Sequence, residues 1–304
     1  MAVTVSKNSK SQILHGQASA LYAAGRLQAA VEKYDRLLVL NRADVPAWTH
    51  RGYALCELKQ HVEALESFQQ AIQLDPKQAL AWHGCGIVQA RLTNYAAAYE
   101  SFDRTVALNP SDLKALYNRG NALIRLNRHR EALESFNSLI QKQPENHRAW
   151  YNRALALATL RRYHDALSSL DTAVSIKPNC HYAWTYRGLT LNKLYRFRDA
   201  LASFEQSLRY RTPNPNALYG KASTYALQGN TGKAAQLLRE AIVIGSHLYR
   251  VMAQTDPSFS KIIDQAEIQA LLQLTHEDGE LQQDSLEWQE CSSSEDGPNS
   301  LFKF

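Results

Sequence analysis

The 304-residue sequence has no uninterrupted apolar run of about 18 residues, so no helix in it is expected to span a membrane. The first ten residues are polar, with Lys7 and Lys10 but no apolar stretch behind them, and a secretory leader is not expected. Cysteine is sparse. Cys56, Cys85, Cys180 and Cys291 lie far apart, without a C-x-x-C pair or any metal-ligand spacing. They read as reduced thiols, three of them in helices, in a cytoplasmic protein. Glycine is low at 13 residues while Ala, Leu, Gln, Glu and Arg abound, which favours an all-helical chain.

The marks of catalysis are missing too. The histidines are scattered, and none forms H-x-x-x-H or H-E-x-x-H. No G-x-x-x-x-G-K occurs, and Gly84-Cys85-Gly86 lacks a third glycine and falls in a helical pattern. His147 and His181 read as solvent-facing helix starts rather than ligands. The expectation is a non-enzyme with no catalytic residue, no metal site and no cofactor.

What the sequence has is a charge imbalance and a repeat. Net charge is +5, yet residues 275–304 carry −7, leaving +12 on the rest. That segment is acidic and serine-rich and is expected to be a disordered tail. Rows of 34 residues starting at Ser11, Val45, Ala79, Leu113, His147, His181 and Pro215 align without a gap. One column reads Ala30, Ala64, Ala98, Ala132, Ala166, Ala200, Ala234. Others read Leu14, Trp48, Trp82, Leu116, Trp150, Trp184, Leu218, then Ala18, Gly52, Gly86, Gly120, Ala154, Gly188, Ala222, then Tyr34, Phe68, Phe102, Phe136, Leu170, Phe204, Leu238.

Each column has a physical reason. Trp48, Gly52 and Leu55 share one face of a first helix; Ala64, Phe68, Ala71 and Ile72 share one face of a second. A polar pair such as Lys59-Gln60, or Gly25 and Gly229 in the outer rows, turns the chain between them. Each row is therefore a helical hairpin, with small residues where the helices approach and large rings filling the rest. Pro76, Pro110, Pro144 and Pro178 end second helices, and Asp44, Asp112, Asn146 and Asn214 are placed to cap the next first helix. The Arg51, Arg119, Arg153, Arg187 column recurs with the repeat and reads as mainly structural.

These columns resemble the tetratricopeptide repeat over residues 11–248. The resemblance implies an all-α, right-handed α-solenoid. Residues 1–10 would be a polar lead-in, 11–248 seven repeats, and 249–274 a helical cap opened by Asp256-Pro257, ahead of the acidic tail at 275–304. It further implies that first helices line a concave groove. Groove candidates are Tyr53, His83, Arg91, Lys114, Tyr117, Asn121, Arg125, Arg148, Tyr151, Tyr182, Lys193 and Tyr219, with Glu57 the one acid read there. A basic, tyrosine-rich groove suits a protein or peptide segment with acidic groups, held by charge-assisted hydrogen bonds and rigid rings. The family's dicarboxylate clamp is incomplete: Asn121 and Asn152 fit its amide positions, but Tyr117, Tyr182 and Tyr186 stand where it has cations. The function expected is a protein-binding scaffold or assembly factor. The alternatives are an RNA-binding solenoid, disfavoured by the period, and a regulatory subunit of an enzyme complex. Leu286, Trp288, Phe302 and Phe304 in the acidic segment raise the further expectation that it visits the groove.

Overall fold

The computed structural model describes residues 2–245 and 247–273. The segment expected to be a disordered tail, with Cys291, lies outside the described residues. The chain divides into two compact units, one ending at Lys142 and the other starting at Gln143. The first holds α1 (Ala2–Ala23), α2 (Leu27–Leu40), α3 (Val45–Glu57), α4 (His61–Leu74), α5 (Ala79–Arg91), α6 (Tyr95–Leu108), α7 (Leu113–Arg125) and α8 (His129–Lys142). The second holds α9 (His147–Thr159), α10 (Tyr163–Ile176), α11 (His181–Lys193), α12 (Phe197–Tyr210), α13 (Pro215–Leu227), α14 (Thr231–Gly245), α15 (His247–Thr255), a 3-10 turn at Pro257–Phe259, and α16 (Ala266–Leu272).

From α3 to α13, each first helix begins on the residue that opens a row of the sequence. The α1 helix differs, starting at Ala2 instead of Ser11. The ten residues read as a separate lead-in contain no proline or glycine to stop a helix, so it runs through them.

Capping fixes the starts. Asp44, Asp112, Asn146 and Asn214 each accept a hydrogen bond from the backbone N–H three residues on, at 2.9–3.2 Å. Asn94 does the same for α6. Between the paired helices the chain passes through one left-handed residue. In the outer pairs this is Gly25 or Gly229; in the middle five it is Lys59, Thr93, Asn127, Arg161 or Tyr195, at φ 58–61°. A side chain there crowds its own carbonyl, a cost of about 1 kcal/mol that glycine avoids. Lys59→Gly and Arg161→Gly are therefore expected to raise stability by up to about 1 kcal/mol each, read as a higher urea midpoint, whereas Gly229→Ala should lower it.

The alanine column is fully buried from Ala30 to Ala234. Beside it, the Phe68 ring is held between two glycines: a Cβ on Gly52 would lie 2.7 Å from the ring, and one on Gly84 2.3 Å. Phe204 is held the same way by Gly188 and Gly220, at 2.6 and 2.3 Å. The tryptophans also reach beyond their own hairpin. The indole N–H of Trp48, Trp82, Trp150 and Trp184 donates to the carbonyl six residues back, at 2.7–2.9 Å. Trp48 also packs on the preceding hairpin's core, and the four tryptophans tie α3, α5, α9 and α11 to the loop before each.

Of the described thiols, Cys56 and Cys85 lie within helices, but Cys180 is the N-cap residue of α11. All three are buried and free. Burial pushes Cys56 and Cys85 up to about 12, which keeps them protonated and unreactive.

Candidate functional site

Within the first unit α3 packs on α5 and α5 on α7; in the second, α11 packs on α13. No two second helices within a unit approach comparably, so the first helices occupy the inner side of each unit. Every groove candidate read from the sequence is on a first helix.

In the first unit, Tyr53 is half-buried, edge-on to Phe68 at 5.0 Å, and its hydroxyl donates to the Leu80 carbonyl at 2.9 Å. His83 is only 4% exposed. Its Nδ1 lies 3.4 Å from the Tyr53 hydroxyl and its Nε2 3.3 Å from Asn118 Nδ2. A neutral ring protonated at Nδ1 satisfies both contacts, because Tyr53 spends its own proton on Leu80 and Asn118 donates to Nε2. Burial pushes His83 down to about 4, with Asp112 raising and Lys114 lowering it to a lesser degree. Asn121 is buried. Tyr117 is half-buried, with its ring centroid 6.4 Å from that of Phe136. Arg91, Lys114 and Arg125 are exposed. Arg91 also donates to the Cys56 carbonyl at 3.2 Å, and the Arg125 guanidinium lies 6.0 Å from the Tyr95 ring.

In the second unit, Tyr151 and Tyr182 are buried and edge-on at 4.7 Å, with Tyr186 5.3 Å from Tyr151. Tyr219 is buried as well; its hydroxyl donates to Asp256 Oδ2 at 2.9 Å, and its ring lies tilted against those of Tyr249 and Phe259, at 5.6 and 5.7 Å. It is a strut for the segment that closes α13 and α14. Arg148 is half-buried and Lys193 exposed. Lys193 stands on a cavity of about 560 Å³ with Leu189, Phe197, Leu227, Lys261 and the 75% exposed Tyr195. His147 and His181 do open helices, but both are half-buried rather than solvent-facing. Burial and nearby Arg211 hold His181 down to about 4.

Among the described residues no cluster of three or more His, Cys, Asp or Glu could hold a metal, and no helix is long and apolar enough to cross a membrane. A tetratricopeptide repeat model matches residues 86–147, 117–181 and 187–248, and a second TPR repeat model matches 52–92. The chain belongs to the tetratricopeptide repeat family. It is an all-α helical-repeat solenoid, a fold that is generally non-catalytic and generally mediates protein–protein interaction or assembly. No curated protein matches the sequence.

Solved structures share the fold at low identity. A tetratricopeptide repeat protein from Parabacteroides merdae superposes at TM-score 0.60 and 18% identity, covering 83% of this chain and 98% of that one. YrrB, a TPR protein described as having an unusual peptide-binding site, gives 0.58 and 20%, over 63% of this chain and 98% of its own. PilW, a type IV pilus biogenesis factor, gives 0.58 and 18%, over 72% and 98%.

The repeat also explains side chains that are not free to bind. Arg51 donates to Asp35 at 2.7 Å and to Ser67 at 2.6 Å. Arg119 repeats this with Asp103 and Ser135, and Arg187 with Asp171 and Ser203. Arg153 donates to Ser169. Arg51, Arg153 and Arg187 also lie over the Trp48, Trp150 and Trp184 rings at 5.6–5.8 Å. Arg51, Arg119 and Arg187 thus lace one tetratricopeptide hairpin to the next, while Arg153 bonds within its own. Their partners Ser67, Ser135, Ser169 and Ser203 belong to an unbroken serine column completed by Ser101, which donates to Gln89 Oε1 at 2.7 Å instead; the column is legible in the sequence but was not read there. Lys261, Tyr195 and Phe197 were missed as well. Pro257 marks the turn that brings Lys261 in, but that turn follows the last 34-residue row.

Proposed function

We propose that this chain is a non-catalytic scaffold or assembly factor that holds an acidic segment of a partner protein on the inner, first-helix surface of its repeats. The observation that carries the reading is a division of the groove candidates by exposure. Arg91, Lys114, Arg125 and Lys193 are exposed, whereas His83, Asn121, Tyr151, Tyr182 and Tyr219 are buried. The buried rings and amides shape the wall, the half-buried Tyr53, Tyr117 and Arg148 border it, and the exposed cations meet the ligand. Exposed pairs are weak singly, so the affinity comes from several cations acting together with apolar contact. The peptide-binding description of YrrB and the description of PilW as a pilus biogenesis factor support the reading at the level of fold. The three buried, protonated thiols suit a reducing compartment, and we place the protein in the cytoplasm.

The test is affinity capture with the full chain beside two charge reversals, Arg91→Glu with Arg125→Glu in the first unit and Lys193→Glu with Lys261→Glu in the second. At least one pair is expected to lose the partners retained by the unaltered chain, with the helical circular dichroism unchanged. Full capture by both well-folded variants would overturn the reading.

A further inference from the structure

We propose that the cavity of the second unit is a docking site for an acidic segment carrying a large apolar side chain, and that its resident occupant is this chain's own Leu286-Glu287-Trp288-Gln289-Glu290. This rests on the proposed reading of the inner surface and names a competitor for it.

The cavity has a mixed chemistry. Leu189 and Leu227, one helix apart on α11 and α13, give it an apolar floor that Phe197 extends. Lys193 and Lys261 bring two cations to it. Lys261 Nζ donates to the Leu227 carbonyl at 3.0 Å, which fixes the ammonium beside the floor with further donors to spare. The one carboxylate of the lining, Asp256, is already engaged: it accepts from the Tyr219 hydroxyl at 2.9 Å and from the Ser258 N–H at 2.9 Å. Tyr195 is 75% exposed at its left-handed turn position, a large ring held out where a ligand would meet it. An apolar side chain flanked by carboxylates satisfies both parts of this lining, and a purely acidic or a purely apolar ligand satisfies only one.

The sequence supplies such a segment at short range. Residues 286–290 place a leucine and a tryptophan beside two glutamates, inside a stretch of net charge −7. The segment leading to it is tied close in sequence to the lining: the Leu272 carbonyl accepts from Gln254 Nε2 at 3.2 Å, and Gln254 stands two residues before the lining residue Asp256. A random-coil chain of about 15 residues, the number separating that point from Trp288, has a root-mean-square span of about 20 Å. That reach keeps the segment at an effective concentration on the order of millimolar, enough to fill a site with a dissociation constant of about 100 μM roughly nine-tenths of the time. A partner's acidic segment must then displace it.

The experiment follows a fluorescein-labelled peptide of residues 282–290 by anisotropy, titrated with the full chain and with full-chain Trp288→Ala. Trp288→Ala is expected to bind the peptide about tenfold more tightly at low salt, because the internal competitor is weakened. The difference should shrink as salt screens the glutamates, and Lys193→Glu with Lys261→Glu in the Trp288→Ala chain should remove peptide binding. Equal affinity for both chains overturns the internal occupant but leaves a cavity that accepts acidic segments. Absence of peptide binding to either chain overturns the docking site itself, while the wider inner-surface reading is decided separately by the capture assay. A dimer in sedimentation that Trp288→Ala dissolves would make a second copy the occupant and also overturn the internal one.

Discussion

Gly84→Ala is expected to destabilise the protein by about 1–3 kcal/mol, and the same substitution is expected to become neutral or stabilising once Phe68 is truncated to alanine. Two opposing effects meet at this position. Alanine is preferred over glycine inside a helix by about 1 kcal/mol, so an unobstructed substitution should stabilise α5. The added methyl would, however, lie 2.3 Å from the Phe68 ring, which Gly52 holds from the other side at 2.7 Å. Phe68 is fully buried and has nowhere to retreat. Overpacking therefore exceeds propensity, and it exceeds it only while the ring is present. Phe68→Ala alone should cost about 3–5 kcal/mol by leaving a cavity. In its background the Gly84→Ala increment should change sign, giving a coupling of about 2 kcal/mol or more between the two sites. Gly16→Ala is the control. Gly16 lies in α1 with no heavy atom within 4 Å of an added Cβ, so propensity alone applies and stability should rise. Urea unfolding of the unaltered chain, the two single variants, the double variant and the Gly16→Ala control gives the comparison. A Gly84→Ala penalty that persists in Phe68→Ala would show that the ring is not what the glycine accommodates.

That clamp also marks how far the sequence could be read. The Gly52, Gly86, Gly120, Gly188 column pointed correctly to close approach of the helices within a hairpin, because the small residue and the large ring recur together. Gly84 and Gly220 fall outside that column. They hold Phe68 and Phe204 from the following hairpin, a contact between rows that a row-by-row alignment does not display. The same limit explains the inner surface. Helical periodicity placed Tyr151, Tyr182 and Tyr219 on first helices, and the family resemblance implied that these face the groove, but their exposure depends on what the adjacent first helix presents. Tyr151 and Tyr182 cover one another, and Tyr219 is covered by a segment beyond the repeat. Long cations were easier to place, since Arg91, Arg125 and Lys193 sit in the last turns of their helices, where the chain is turning. The cavity was only half legible: Lys193 is in register with the repeat, and Lys261 is not.

Lowering the pH from 7 to 4 is expected to remove up to about 3 kcal/mol of stability through His83 alone. His83 is buried on the inner side of the first unit, and its two ring nitrogens are committed to Tyr53 and Asn118. Burial depresses it from 6.5 to about 4. In the unfolded chain the ring takes up a proton near its ordinary value, so between about 6.5 and about 4 the unfolded state binds more protons than the folded one. Stability is therefore complete above about 6.5 and is lost as the pH falls through that window. His50, His61 and His129 are lowered by burial too, and His181 is held at about 4, so the whole chain should lose stability in the same direction. Asp112 opposes the shift at His83 and Lys114 reinforces it, but both are smaller than the desolvation. Protonation would also place an N–H at Nε2 against the Asn118 amide, which donates there in the neutral state. His83→Gln replaces the ring with a group that does not titrate. Its urea midpoint should start lower at pH 7, since contacts to Tyr53 and Asn118 are weakened, and should then fall less steeply towards pH 4 than that of the unaltered chain. Parallel pH profiles for the two chains would mean that His83 is protonated in the folded state with little penalty, and that the acid sensitivity belongs to the other histidines.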